Sequence, residues 1–402
     1  MFLSQYLNHI LQRFRKQPSG HVKAPELPEY IAPSPTSEDL DWADLAIVDL
    51  SQGSTPAGRQ ELAKQVRQAM NSHGFFYVVN HGYTPEQTRR LFSIANATFD
   101  LVEEDEKRLY TGQSEDVYEG YKPRRTWQIE NGVSDQIEHY NINRSIRKRD
   151  HPTVLRPHLD EIQDFAQHNH NHILYTILRI LAIGMDLPEE TFVEMHRFES
   201  PGESSGSSVS QAPSHDPIHN LEIHMNSQIH EVLPAYGCRR NVNQERLAKR
   251  SHRNGLTQFF PADIGSITIL WSQPISGLQI LSPDGVWRYI KHIENALVVN
   301  TGDVMQLLSG GFYKPTIHRV IQPPKDQTDL ERLGVFYFAM AADDIRLASV
   351  KSDEDSKIAA PTMVDWRKER TGKYGKGTMK QAQADGKMEE EIILGITVKE
   401  YN

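Results

Sequence analysis

The sequence predicts an α+β chain in which a β-barrel or jelly roll is flanked by helices on both sides. Two observations carry this. From residue 264 onward, short apolar and β-branched runs recur about every ten residues between turn signals, the spacing of a barrel or sandwich. Before and after that stretch, apolar residues recur at helical spacing, interrupted by two strand-like runs.

In chain order, Leu3, Tyr6, Leu7, Ile10, Leu11 and Phe14 fall at helical spacing beside Arg13, Arg15 and Lys16. The first 25 residues hold no acid. That composition suits a mitochondrial presequence or an amphipathic helix packed on the domain and stopped by Pro18. The packed helix is the expectation, with a cytoplasmic address and mitochondrial import as the alternative. Residues 25–40, with four prolines, read as an extended arm, so 1–40 form an amino-terminal helix and arm.

Residues 41–198 read as mixed α/β. A strand is expected at 46–50 and a helix at 57–72, with Leu62, Val66, Ala69 and Met70 on one face. The aromatic run 75–79 follows as a strand. Thr84-Pro85-Glu86 opens a helix over 84–108, with an N-cap and proline at the first helical position. A long helix is expected over 155–185. Residues 263–340 supply barrel strands at 267–271, 278–281, 287–290, 296–300, 316–320 and 333–338. Residues 341–402 read as a carboxy-terminal helical region, including the acidic-apolar run 389–394.

Residues 199–262 fit neither half. They are rich in Ser, His, Asn and Arg and hold five of the 18 histidines and the single cysteine, Cys238. A structureless stretch of this length inside a compact domain is improbable.

With 53 acidic and 44 basic side chains the formal charge is −9, which argues against nucleic-acid or anionic-membrane partners. No stretch approaches the apolar length of a membrane span. One cysteine excludes a disulfide scaffold and a cysteine-based zinc site. The surplus of histidine points to nitrogen and oxygen ligands if a metal is bound.

A mononuclear iron oxygenase needs two His and one carboxylate on one face of the metal. Asp263 opens a strand, His318 lies in another 55 residues on, and Arg332 follows on the next after 14 more. A guanidinium there can hold an oxo-acid carboxylate by paired charge-assisted hydrogen bonds.

The sequence resembles the isopenicillin N synthase-like branch of the 2-oxoglutarate/Fe(II)-dependent oxygenases. The likeness lies in His73-Gly74-Phe75-Phe76-Tyr77-Val78-Val79-Asn80-His81-Gly82, the run from Asp263 to Leu270, the run from Asn295 to Asp303, Ile317-His318-Arg319-Val320, and Arg332-Leu333-Gly334. It spans roughly residues 40–200 and 263–340. The resemblance implies a double-stranded β-helix (jelly-roll) core with flanking helices. It also implies Fe(II) held by Asp263 and His318, and 2-oxoglutarate anchored by Arg332. The implied reaction oxidises a small organic metabolite with molecular oxygen, by hydroxylation, desaturation or cyclisation.

Two residues depart from the family pattern. Pro261 stands where the family has its first His ligand, and proline has no donor nitrogen. Gly334 stands where the family has a serine that helps hold the oxo-acid. Three explanations of Pro261 remain open. A histidine of the preceding segment, His252 being nearest, replaces the ligand. The chain is instead a catalytically degenerate member that binds a ligand or partner. Or residues 206–262 include translated intron, since Leu256 to Ala262 can be encoded by a branch site, a pyrimidine tract and a CAG acceptor.

Other pairs have bland explanations. His158-Leu159-Asp160 sits at a helix start, and His292-Ile293-Glu294 reads as an exposed turn. His168, His170 and His172 alternate along a helix and so do not cluster. His73 and His81 suit capping and turn hydrogen bonds. Asp135, Glu138 and Tyr140 read as alternate residues of a strand, facing either the substrate cavity or the core.

Overall fold

The computed structural model describes residues 27–111, 120–124, 128–129, 133–134, 137–143, 146–198, 220–226, 258–260, 263–373, 380–381 and 388–401. The expected amino-terminal helix, Pro261, Cys238 and Asp135 lie outside them.

The chain enters through β1 (Ile47–Asp49), which pairs in parallel with β2 (Phe75–Val79). Between them, α1 (Pro56–Ser72) is capped by Thr55, whose side chain accepts from Gly58 N, and buries Leu62, Val66 and Met70. Burying each such side chain contributes roughly 1.5–3 kcal/mol. The helix expected over 84–108 is two: α2 (Pro85–Asp100), opened by a full Thr84–Gln87 capping box, and α3 (Glu104–Leu109). Strands β3 (Gly120–Lys122), β4 (Gln128–Ile129), β5 (Val133–Ser134) and β6 (Ile137–Asn143) follow.

The long helix expected over 155–185 is built from α4 (Leu159–Gln167), a π-helical turn (His168–Leu174) and α5 (Tyr175–Gly184). The wider turn sets His170 inside the protein, its ring bonded to Tyr337 Oη at 2.7 Å and to the His196 carbonyl at 2.6 Å.

Segment 199–262 contributes β7 (Asn220–Asn226) and β8 (Gln258–Phe260). Then come β9 (Ile267–Trp271), β10 (Leu278–Leu281), β11 (Trp287–Tyr289), β12 (Leu297–Thr301), the short α6 (Asp303–Leu308), β13 (His318–Val320) and β14 (Arg332–Ala339). The large sheet runs β1-β2-β12-β9-β14-β7-β6-β3 and the small one β11-β10-β13-β8. The jelly roll therefore draws one strand of each sheet from the segment that shows no apolar period.

Two cores result. One lies between the large sheet and the helices, around Leu178, Leu181, Trp271 and Tyr337. The other fills the space between the sheets, around Phe75, Leu270, Ile280 and Val298.

The carboxy-terminal region differs from the helical expectation. Helices α7 (Glu354–Ala359) and α8 (Met363–Lys373) form, but β15 (Lys380–Gln381), β16 (Met388–Ile393) and β17 (Ile396–Tyr401) make a separate sheet. The acidic-apolar run is thus a hairpin strand. Leu394 and Gly395 have φ of +50° and +79°, the positive pair that a two-residue hairpin turn demands. Ile392 is exposed while Ile393 is buried, the two-residue period of a strand.

Candidate metal centre and oxo-acid pocket

Asp263 and His318 come together from opposite sheets. Asp263 precedes β9 and His318 opens β13, and His318 Nε2 lies 3.8 Å from Asp263 Oδ1. Asp263 Oδ2 accepts from Thr268 Oγ1 at 2.6 Å and Asn300 Nδ2 at 2.7 Å, leaving Oδ1 toward the imidazole. His318 Nδ1 lies 3.0 Å from the Thr316 carbonyl, an acceptor only, so Nδ1 carries a proton and Nε2 faces Asp263. Phe75 packs edge-on against the ring at 5.6 Å.

The backbone is held as closely. Asp303 N donates to the Asp263 carbonyl at 2.8 Å. A Cβ on Gly302 would stand 2.3 Å from that carbonyl oxygen, so the approach requires glycine there. This accounts for Gly302-Asp303 within the quoted run 295–303.

A carboxylate with a spare oxygen beside an imidazole of fixed tautomer fits two of the three protein positions around ferrous iron. Among the described residues no third His, Cys, Asp or Glu joins them. Pro261, which stands in the sequence where the resemblance puts the third ligand, lies outside the described residues.

Arg332 is buried where β14 begins, and its Nε has no hydrogen-bond partner. Burial pushes its pKa down to about 10, so it remains charged at neutral pH. It lines a small cavity between the sheets with Leu270, Ser272, Leu278, Ile290 and Val298. A Cβ on Gly277 would stand 3.9 Å from Arg332 Cδ and 3.7 Å from Val320 Cγ1, which places Arg332 beside the strand that carries His318. A buried cation with an unmade hydrogen bond calls for an anion, and a carboxylate of an oxo-acid would supply one. Gly334 follows two residues on. A Cβ there would meet the Phe336 ring at 2.7 Å, so the family's serine is incompatible with this ring position.

Of the remaining candidates, only His292 lies at this site. His158 is buried and bonds Glu161 Oε1 at 2.9 Å. His73 ends α1, its N–H donating to Ala69 O, while its carbonyl accepts from Thr316 Oγ1 at 2.8 Å. His81 Nε2 reaches the Asn295 carbonyl at 3.0 Å, and burial pushes its pKa down to about 4. His170 points inward, whereas the His168 and His172 rings lie 5.0 Å apart. His292 corrects its expectation as an exposed turn. Its Nδ1 lies 2.8 Å from Ser272 Oγ and it lines the Arg332 cavity. Glu138 pairs with Lys107 at 2.9 Å and Tyr140 lies in the helix-facing core, so packing explains both.

Sequence reasoning missed Thr268, Asn300 and Phe75. A signal was present: Thr268 and Asn300 are the polar residues inside the otherwise apolar runs of β9 and β12.

Residues 45–164 match the family described as the non-haem dioxygenase in morphine synthesis N-terminal region, and residues 251–340 match the 2OG-Fe(II) oxygenase superfamily. The second match begins ten residues before Pro261 and so includes it. The chain is 25% identical to the 2-oxoglutarate-dependent dioxygenase tropC of Talaromyces stipitatus, over 67% of this chain and 78% of that protein. It is 24% identical to the kihadalactone A synthase LFS of Citrus sinensis, over 90% and 96%. Among solved structures, a Neurospora crassa protein in complex with alpha-KG and 5-formyluracil superposes with a TM-score of 0.63 at 19% identity, covering 83% of this chain and 99% of that one.

Proposed function

Since the chain belongs to the 2-oxoglutarate/Fe(II) oxygenase family, we propose that it oxidises a small organic metabolite at the Asp263–His318 centre. The observation that carries this is the convergence of Asp263, His318 and a buried, unsatisfied Arg332. Iron and 2-oxoglutarate, when bound, supply an oxidant made from molecular oxygen at the expense of decarboxylating the oxo-acid to succinate.

The chain's own part is to bind and orient. Asp263 Oδ1 and His318 Nε2 offer two metal ligands. Thr268 and Asn300 keep the carboxylate from rotating, and the Thr316 carbonyl fixes the imidazole tautomer. Arg332 holds the remote carboxylate of the oxo-acid. Leu270, Leu278, Ile290 and Val298 stand beside the buried guanidinium, and its burial strengthens the ion pair. The partners are a small-molecule substrate and oxygen.

Pro261 favours a second reading, a degenerate member of the family that binds a ligand without turning it over. The test supplies the purified chain with Fe(II) and 2-oxoglutarate and measures succinate. Release by the native chain supports the oxygenase. No release by the native chain, with release restored by Pro261→His, supports the degenerate reading. No release from either overturns the assignment of Asp263 and His318.

A further inference from the structure

In an antiparallel sheet, residues paired directly across neighbouring strands share a face. Phe336 is in register with Leu270 on one side and, through Glu222, with Asn141 on the other. Phe338 is in register with Thr268, whose hydroxyl holds Asp263. The strand face of Phe336, Phe338 and Asn141 is therefore the face that carries the metal centre.

Four features mark it. The Phe336 ring lies back over Gly334, occupying the space where a side chain there would begin. Phe338 stacks on Phe336, with ring centres 5.6 Å apart and planes 8° from parallel. Along β14, whose other residues are buried, only these two are half-buried. Asn141, on β6, is buried, yet its Oδ1 has no hydrogen-bond partner. An unmet buried acceptor is destabilising, and a donor from a bound molecule would offset that cost.

Resting on the proposed function, the geometry points to a substrate class: a flat ring system with an N–H or O–H donor at the end remote from the oxidised carbon. The parallel phenylalanine rings form its floor, and Asn141 Oδ1 accepts from the donor. Asn141 lies three strand spacings from Leu270, about 14 Å along the sheet, so the molecule has the length of two or three linked rings. Gly334 is the position that permits this floor, because any side chain there displaces Phe336.

The test measures binding calorimetrically with 4′-hydroxyflavone and its methyl ether as probes. It uses the full chain supplied anaerobically with Fe(II) and 2-oxoglutarate. The native chain is expected to bind the phenol at least tenfold more tightly than the ether. Asn141→Leu should abolish that preference, Asn141→Asp should keep it by retaining an acceptor oxygen, and Gly334→Ser should weaken both probes tenfold or more. Binding of neither probe, equal binding of both, or a preference that survives Asn141→Leu overturns the inference. Succinate release by the native chain is followed in parallel. Failed binding with release intact overturns this inference alone, and failed release with binding intact overturns the proposed function alone.

Discussion

Replacing Arg332 with methionine separates a ligand-binding charge from a structural one. The guanidinium is buried, its Nε is unpartnered, and burial pushes its pKa from 12.5 to about 10. The folded state thus carries a desolvation cost on the order of 3 kcal/mol at neutral pH, at about 1.4 kcal/mol per pKa unit. Methionine fills similar space without the charge, so Arg332→Met should leave the ligand-free protein as stable as the native chain, or up to about 3 kcal/mol more stable. The oxo-acid should respond in the opposite sense. Loss of two charge-assisted hydrogen bonds of about 1.5–3 kcal/mol each predicts a dissociation constant for 2-oxoglutarate raised by roughly 100-fold or more. Urea unfolding without ligand and calorimetric titration with 2-oxoglutarate read the two effects. A variant destabilised by about 2 kcal/mol or more that binds 2-oxoglutarate as the native chain does would show that Arg332 serves the fold and not the ligand.

Asn300→Leu removes one of the two donors on Asp263 Oδ2, and equilibrium dialysis should show iron affinity reduced about 10- to 100-fold in a folded chain. Thr268→Val should act alike, and normal iron affinity in both variants would rule out the positioning role. His196 is buried, bonded to Ser266 Oγ at 2.7 Å, and burial pushes its pKa down to about 4. Because the unfolded chain takes up that proton first, stability is fully present above about pH 6.5 and is lost as pH falls toward about 4. His196→Asn should flatten the acid limb of the unfolding curve over that window, and an unchanged slope would count against it. If residues 206–262 include translated intron, transcripts will lack part of those codons. Continuous coverage would remove that explanation and leave β7 and β8 as the chain's own strands.

Legibility follows periodicity. Strands β9 and β10 are readable to the residue, because both are largely apolar and bounded by turns, and β9 is buried on both faces. β7 is not, because Asn220–Asn226 mixes polar and apolar residues and owes its place to pairing with β6 and β14. The hairpin of β16 and β17 reads as helix because the run Glu389 to Leu394 carries good helix formers, while the turn at Leu394-Gly395 decides the outcome. Asp263, His318 and Arg332 are legible by type and order. The orienting pair Thr268 and Asn300 is legible only as polar residues in apolar strands. Phe336 over Gly334 depends on ring placement, which one sequence does not reveal.

If Asp263, His318 and Arg332 form one site for iron and 2-oxoglutarate, the metal and the oxo-acid must meet on this chain. An anaerobic titration of the Fe(II)-supplied native chain with 2-oxoglutarate, following the visible charge-transfer absorption of the chelated metal, observes that meeting. Saturable absorption is expected, absent in His318→Ala and needing roughly 100-fold more 2-oxoglutarate in Arg332→Met. Absorption in the native chain that persists unchanged in both variants, or none in either the native chain or Pro261→His, would show that these three residues do not form such a site.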